Sequence, residues 1–348
     1  MNSIERFFAT IERKEVDRPA SWLGLPVPSA TQGLCDYFKI NRIEDMTRAI
    51  NDDVYAIEMP YHSPDADAIY TALNFAQDFE GSEEERTLTA DGFFKDFTEA
   101  DINRIDEFNW PDPTDYVDVA EAETLVADAP EGKLLLGVCW SSHFQDACAA
   151  FGMEHAMMKM ALEPEIYRAV NEKIVEFYLK ANEIFFKAME GKLHAILIGN
   201  DLGGQTGLLL SPDMIREFVL PGTKALTEQA HRYGFKVIHH SCGAIRDIIG
   251  DLIETGVDVI HPIQALATGM QPQELKDNFG DKVAFCGGVD AQNLLVNGSP
   301  EEVSAKIREL YSIFGTGLVL SPSHEAILPD VPPENIETMF KTINELAR

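Results

Sequence analysis

Short apolar runs alternate with amphipathic stretches along most of the chain. "LLLGV" at 134–138 is followed by a helical pattern from about Ser142. "HAILIG" at 194–199 precedes "SPDMIREFVLPGTKALTEQAHRYG", where Ser211 suits an N-cap, Pro212 the first helical position, and Gly234 the end of the pattern. "FKVIHH" precedes "AIRDIIGDLIETG", "VDVIHP" precedes "QPQELKDNFG", "KVAFCGG" precedes "SPEEVSAKIRELYSIFG", and "GLVLSPS" precedes "PPENIETMFKTINELAR". Two further apolar runs lie upstream, "ASWLGL" at 20–25 and "DVYAIEM" at 53–59. Short apolar strands alternating with helices predict a parallel sheet covered on both faces. Eight such units predict a (β/α)8 TIM barrel. An open doubly wound sheet fits less well, because no Gly-rich dinucleotide fingerprint follows the first strand.

Residues 60–132 break this rhythm. "EEERTLTADGFFKDFTE" alternates and carries Asp91-Gly92, a hairpin signal. The region reads as an insertion after the second strand, a lid or an interface, within one domain spanning residues 1–348.

Composition changes this picture little. The 348 residues are 45% hydrophobic and 25% charged, as in ordinary globular chains. The start has acidic residues and no long apolar run, so we expect no signal peptide, and no stretch is long enough to span a bilayer. A cytoplasmic protein is the expectation. The formal net charge of −30 disfavours nucleic acid and anionic lipid as partners. Cys35, Cys139, Cys148, Cys242 and Cys286 are few, odd in number and scattered, which suits reduced thiols.

The candidate chemistry lies where the apolar runs stop, at the strand ends that carry active sites in such barrels. Asn200, Asp201 and Gln205 follow "HAILIG"; His239, His240 and Cys242 follow "FKVI"; His261 and Gln264 follow "VDVI". Cys286 and Asp290 follow "KVAF", His324 and Glu325 follow "GLVL", and Tyr61 and His62 follow "DVYAIEM". In an extended segment residues two apart project the same way. His240 and Cys242 can therefore face one point, with His239 turned away. Zinc accepts imidazole and thiolate, and a catalytic zinc commonly keeps three protein ligands. His324 and Cys286 are the candidates for the third. A buried packing role for His240 and Cys242 is the alternative.

"GNDLGGQTGLLLSPDMIREFVLP", "KVIHHSCGAIRDIIGDLIETGVDVIHPIQ" and "GLVLSPSHEAILPDVPPENI" resemble, in their order, the uroporphyrinogen decarboxylase superfamily. The likeness covers most of residues 130–348 and implies a (β/α)8 barrel. One branch comprises metal-free decarboxylases that hold a tetrapyrrole through arginines of an N-terminal segment; here no arginine occurs between Arg18 and Arg42. The other comprises zinc-dependent methyltransferases working with corrinoid proteins, with a His-x-Cys pair and a later cysteine. That pair carries over to His240 and Cys242, and the third position falls in "SPSHEAILP", where His324 stands. The resemblance thus implies a zinc held by His240, Cys242 and His324. A set with one thiolate is a better Lewis acid than one with two, which favours methyl transfer from a small O-methyl donor to the corrinoid over methylation of a thiol. Asp201 and Glu325 are then the catalytic candidates, and Tyr61, Asn200, Gln205 and Gln264 the substrate contacts; Asp201 could instead orient a ligand histidine. The sequence has no Asp-x-His-x-x-Gly corrinoid signature, residue 238 being Ile, so a partner protein is expected to bring the corrinoid. A homodimer is the expectation by analogy. A metal-independent lyase on the same barrel is the alternative.

Overall fold

A computed structural model describes residues 1–61 and 91–347. Its strands are β1 (Leu25–Pro26), β2 (Val54–Glu58), β3 (Leu134–Trp140), β4 (Ala195–Gly199), β5 (Lys236–His240), β6 (Val259–Ile263), β7 (Ala284–Val289), β8 (Leu318–Pro322) and β9 (Ala326–Ile327). Strands β2 to β8 pair in chain order, every neighbour parallel, in one curled seven-stranded sheet. Helices follow the strands, among them His143–Phe151, Pro164–Ala188, Pro272–Phe279, Pro300–Phe314 and Pro333–Glu345. This is the TIM-barrel-like fold expected from the alternating pattern.

The strands separate two apolar layers by their two-residue alternation. Val54, Leu134, Leu136, Val138, Leu197, Ile238, Val259 and Val319 point inward and form the barrel's own core. Tyr55, Ile57, Leu135, Ile196, Ile198, Ile260, Phe285 and Leu320 point outward under the helices. The helix Ser3–Ile11 places Phe7 and Ile11 in the inner layer, so it closes the barrel end opposite the loops that follow the strands.

The first expected strand, 20–25, departs from the rule. Ser21 makes a parallel bridge to Leu320, Trp22 N donates to Leu320 O, and β1 pairs with β9 beyond β8. On its other side, carboxylates of the residues just before β2 take the place of a strand ladder. Asp52 accepts from Leu23 N at 2.8 Å and from the Ser21 hydroxyl at 2.8 Å, and Asp53 accepts from Ser21 N at 3.1 Å. Asp53, fully buried, is charge-paired with Arg6 at 2.6 Å and Arg18 at 2.7 Å. These carboxylates bridge the seam between the segment 20–25 and β2, next to a cleft lined by residues of both.

Two other expectations are corrected. The pattern after Ser211 forms two helices, Pro212–Phe218 and Leu220–Arg232, because Pro221 has no N–H to continue the first. Ser211 does cap the first, accepting from Met214 N. Asp91-Gly92 does not open a hairpin arm: Gly92 is packed against the backbone of Ala149 and Ala150, and a 3₁₀ segment, Glu99–Glu107, follows. Residues before Asp91 in that motif, and His62, lie outside the described residues.

Candidate functional site

His240 ends β5 two residues beyond Ile238, so the pleat that buries Ile238 in the barrel turns His240 inward at the mouth. Its register partner is Gly199, where a Cβ would come 2.3 Å from His240 O; only a residue without a side chain lets the two strands close there. His239 turns outward and is buried, with its pKa lowered to about 3 by burial and then by the neighbouring charge of His240. The loops after β4 and β5 then interlock. Gly243, at φ +83°, packs on Gly203, and Ala244 N donates to Gly204 O. This sets Asp201 beside Cys242, whose N–H donates to Asp201 Oδ1 at 2.9 Å.

The His240 ring stands between two groups. Its Nε2 lies 3.2 Å from Asp201 Oδ1 and 3.4 Å from Cys242 Sγ. Its Nδ1 lies 3.0 Å from His261 Nδ1 and 3.4 Å from Glu325 Oε2. Tetrahedral zinc, with bonds of about 2.0–2.3 Å, sets its ligand atoms about 3.3–3.8 Å apart. The Asp201, His240 and Cys242 ligand atoms all lie within 4.8 Å of one another, at spacings a single cation can bridge. With a metal on Nε2, Nδ1–H would donate toward His261 or Glu325, the arrangement by which outer groups orient ligand histidines. The donor set, imidazole, thiolate and carboxylate, fits zinc.

His240's buried imidazole has its pKa pushed down by desolvation, but the Glu325 charge and the Asp201 hydrogen bond outweigh that and hold it well above the ordinary value. His261 goes the other way: burial, then the charges of His240 and His324, hold it well below. Asp201 is raised by burial, yet its contacts with His240 and Cys242 win and keep it below the usual carboxylate range.

His324 does not join the ligand group in this arrangement. Its Nδ1 accepts from Ala326 N at 3.0 Å, so a neutral ring carries its proton on Nε2; interaction with Cys242 is the largest cause of its raised pKa. Cys286 is fully buried in the inner core beside Ser321, and burial raises its thiol pKa; it lies apart from His240 and Cys242. Asn200 is engaged elsewhere, its Oδ1 accepting Phe144 N at the start of the helix His143–Phe151. Gln264 Oε1 accepts Gly243 N at 2.8 Å and so fixes the loop that carries Cys242. Gln205 is exposed and uses its backbone carbonyl to accept Thr268 N. Tyr61 stacks with Tyr116 and meets Phe177 edge-on, on the outer layer. The structure therefore gathers Asp201, His240, Cys242, His324 and Glu325, and places Tyr61, Asn200, Gln205 and Gln264 in supporting or separate positions.

A cavity of about 150 Å³ opens above this group, lined by Trp140, Ser142, Gln145, Gly199, Asp201, His240, His324 and Glu325. Trp140, Ser142 and Gln145 were not singled out from the sequence. β3 changes register between Val138 and Trp140, and Trp140 and Ser141 both adopt left-handed φ, 54° and 52°. Such strain at non-glycine residues is found at functional sites. It sets the indole edge-on to His240, ring centroids 5.5 Å apart, with Nε1 donating to Glu58 Oε1 at 3.3 Å. The Trp at the end of "LLLGVCW" was the available signal.

The profile of the family described as Uroporphyrinogen decarboxylase (URO-D) matches residues 2–346. Uroporphyrinogen decarboxylases of Geobacter metallireducens and Geobacter sulfurreducens are 30% and 27% identical to this chain over 193 and 192 residues, 54% of this chain and 52% of each relative. The chain thus spans about half the length of these curated relatives. A solved methyltransferase from Methanosarcina mazei aligns over 99% of both chains with a TM-score of 0.72 at 14% identity, a likeness of fold.

Proposed function

The chain belongs to the uroporphyrinogen decarboxylase family, and from that premise we propose that it is a zinc-dependent methyltransferase that works with a corrinoid carried on a separate protein. The observation that carries this reading is the clustering of the Asp201, His240 and Cys242 ligand atoms within 4.8 Å of one another, with Asp201 and His240 also lining the cavity. We assign the third ligand to Asp201 and give His324 the part of hydrogen-bond donor to the Cys242 sulfur. A zinc ion there supplies Lewis acidity toward the heteroatom that bears or receives the methyl group. The residues around it have separate tasks. Glu325 and His261 fix the His240 ring and its tautomer through Nδ1. Gln264 and Asp201 hold the backbone of residues 242 and 243, which keeps the thiol in place. The Nε2–H of His324 draws charge from the thiolate, which leaves the ion more electrophilic and favours the donor-activating direction, from a small O-methyl donor to the corrinoid. Trp140 and Gln145 border the space left for the substrate.

Metal analysis of untagged protein tests this reading. We expect bound zinc in the wild type, its loss in Cys242→Ala, an affinity about 10–100-fold weaker in Asp201→Asn, and retention in His324→Gln. Methyl transfer from methoxylated compounds and to small thiols, each with a corrinoid, then separates the two directions. Protein that neither contains nor takes up zinc would return the site to a metal-independent lyase in which Asp201 and His324 exchange protons, the reading that the names of the curated relatives support.

A further inference from the structure

We infer that the small molecule handled in this cavity carries a positive charge, an ammonium-type head group, and not a carboxylate, sulfonate or phosphate; this rests on the cavity being the substrate site proposed above. Its lining contains two carboxylates, Asp201 and Glu325, and no lysine or arginine among the described residues. With His240 bound to a divalent ion and His324 in its neutral form, the Cys242 thiolate and these carboxylates outnumber the metal's charge by one. Glu58 adds a further carboxylate at the rim, on the indole nitrogen of Trp140. One acceptor in the wall, Gln145 Oε1, is buried with no hydrogen-bond donor assigned to it. An anion entering here would meet acceptors and negative charge with no bidentate cationic partner, a large cost in a desolvated site.

Trp140 gives the positive version of the same argument. Its ring lines the cavity and is held by three restraints: the shifted register of β3, the left-handed turn at residues 140–141, and the hydrogen bond to Glu58. An indole face beside carboxylates attracts ammonium groups through the ring quadrupole, strongly so when water is excluded. Size agrees. A cavity of about 150 Å³ is of the order that holds a benzene-sized molecule, and a tetramethylated ammonium ion is of similar bulk.

The test is calorimetric titration of the full-length protein with tetramethylammonium, with tert-butanol as a neutral molecule of similar shape, and with methanesulfonate as an anion. Tetramethylammonium should bind, tert-butanol about tenfold or more weakly, and methanesulfonate not measurably. Trp140→Leu should weaken the tetramethylammonium affinity about 5- to 30-fold, while Trp140→Phe, which keeps an aromatic face, should recover most of it. Glu58→Gln should also weaken it. Zinc content and circular dichroism of each variant report on folding independently. The metal assignment has its own readout: in Cys242→Ala, tetramethylammonium should still bind although zinc is lost. Wild type that holds zinc but prefers methanesulfonate or tert-butanol overturns the charge inference alone. Equal binding by Trp140→Leu and wild type also overturns it.

Discussion

At the scale of single residues, one ring organises the site. His240 offers Nε2 to Cys242 and Asp201 and Nδ1 to His261 and Glu325, and it can do so because Gly199 leaves room beside it. Gly199→Ala would put a methyl group 2.3 Å from His240 O. We expect this substitution to weaken zinc binding without altering any ligand, and to destabilise the fold by about 1–3 kcal/mol; metal titration and urea unfolding of the variant check both. The alternation of "FKVIHHSC" already divided His240 and Cys242 from His239, since side-chain direction in a strand is a local property. The place of Asp201 was also legible, though its contact with Cys242 was not, because that depends on Gly203 and Gly243 packing the two loops together. For His324, expected as a ligand, the N–H of Ala326 two residues on donates to Nδ1, a local contact that the sequence pattern does not announce. Trp140 escaped notice because a register shift, which leaves no mark on the apolar pattern, aims it at the site.

At the scale of elements, the strand–helix alternation foretold β2 to β8 and most of the helices that follow them, because each strand buries both faces and each helix one. It did not foretell the seam. A pattern of apolar residues can announce a strand but not which neighbour it pairs with, and here the segment 20–25 pairs on one side only. Asp53 meets Arg6 and Arg18 with no exposure to solvent. Asp53→Asn should therefore leave two buried guanidinium groups poorly compensated and destabilise the protein by about 3–5 kcal/mol. Chemical denaturation measures this, and a change below about 1 kcal/mol would show that the seam is not held by that cluster. Asp52 has its pKa pushed up to about 6, by burial first and then by the adjacent Asp53. A raised carboxyl holds its proton more tightly folded than unfolded. Its stabilising contribution is thus full below the ordinary value near 4 and is lost as pH rises through about 6. In Asp52→Asn, the dependence of unfolding free energy on pH across that window should lose this component; an unchanged slope would contradict the assignment.

For the whole molecule, charge is the property that composition alone decides. A net charge of −30 on 348 residues means that folding gathers mutual repulsion into a smaller volume. Salt should relieve it. The thermal midpoint is expected to rise between about 0.02 and about 0.3 M sodium chloride, and scanning calorimetry at matched pH checks this. A falling midpoint would mean that the surface ion pairs contribute more than the excess charge costs. Fold class was legible at this scale because it follows from the count of alternating units. The character of the cavity was not, since its wall is drawn from β3, β4, β5 and the loop after β8, residues 140 to 325 in the chain.

The seam has a consequence in time. The segment 20–25 and β1 find their backbone partners in β8 and β9, close to 300 residues later in the chain. A ribosome must complete nearly the whole barrel before those partners exist. The Arg6–Asp53–Arg18 cluster involves only residues that precede β8 by more than 260 positions. It can tether the opening helix and its strand to β2 early, shielding an unpaired edge until the last strands emerge to cover it. Pulse-labelled amide exchange during refolding would see this order as protection of residues near 21–25 arriving with that of β8, after β3 to β5 are already guarded.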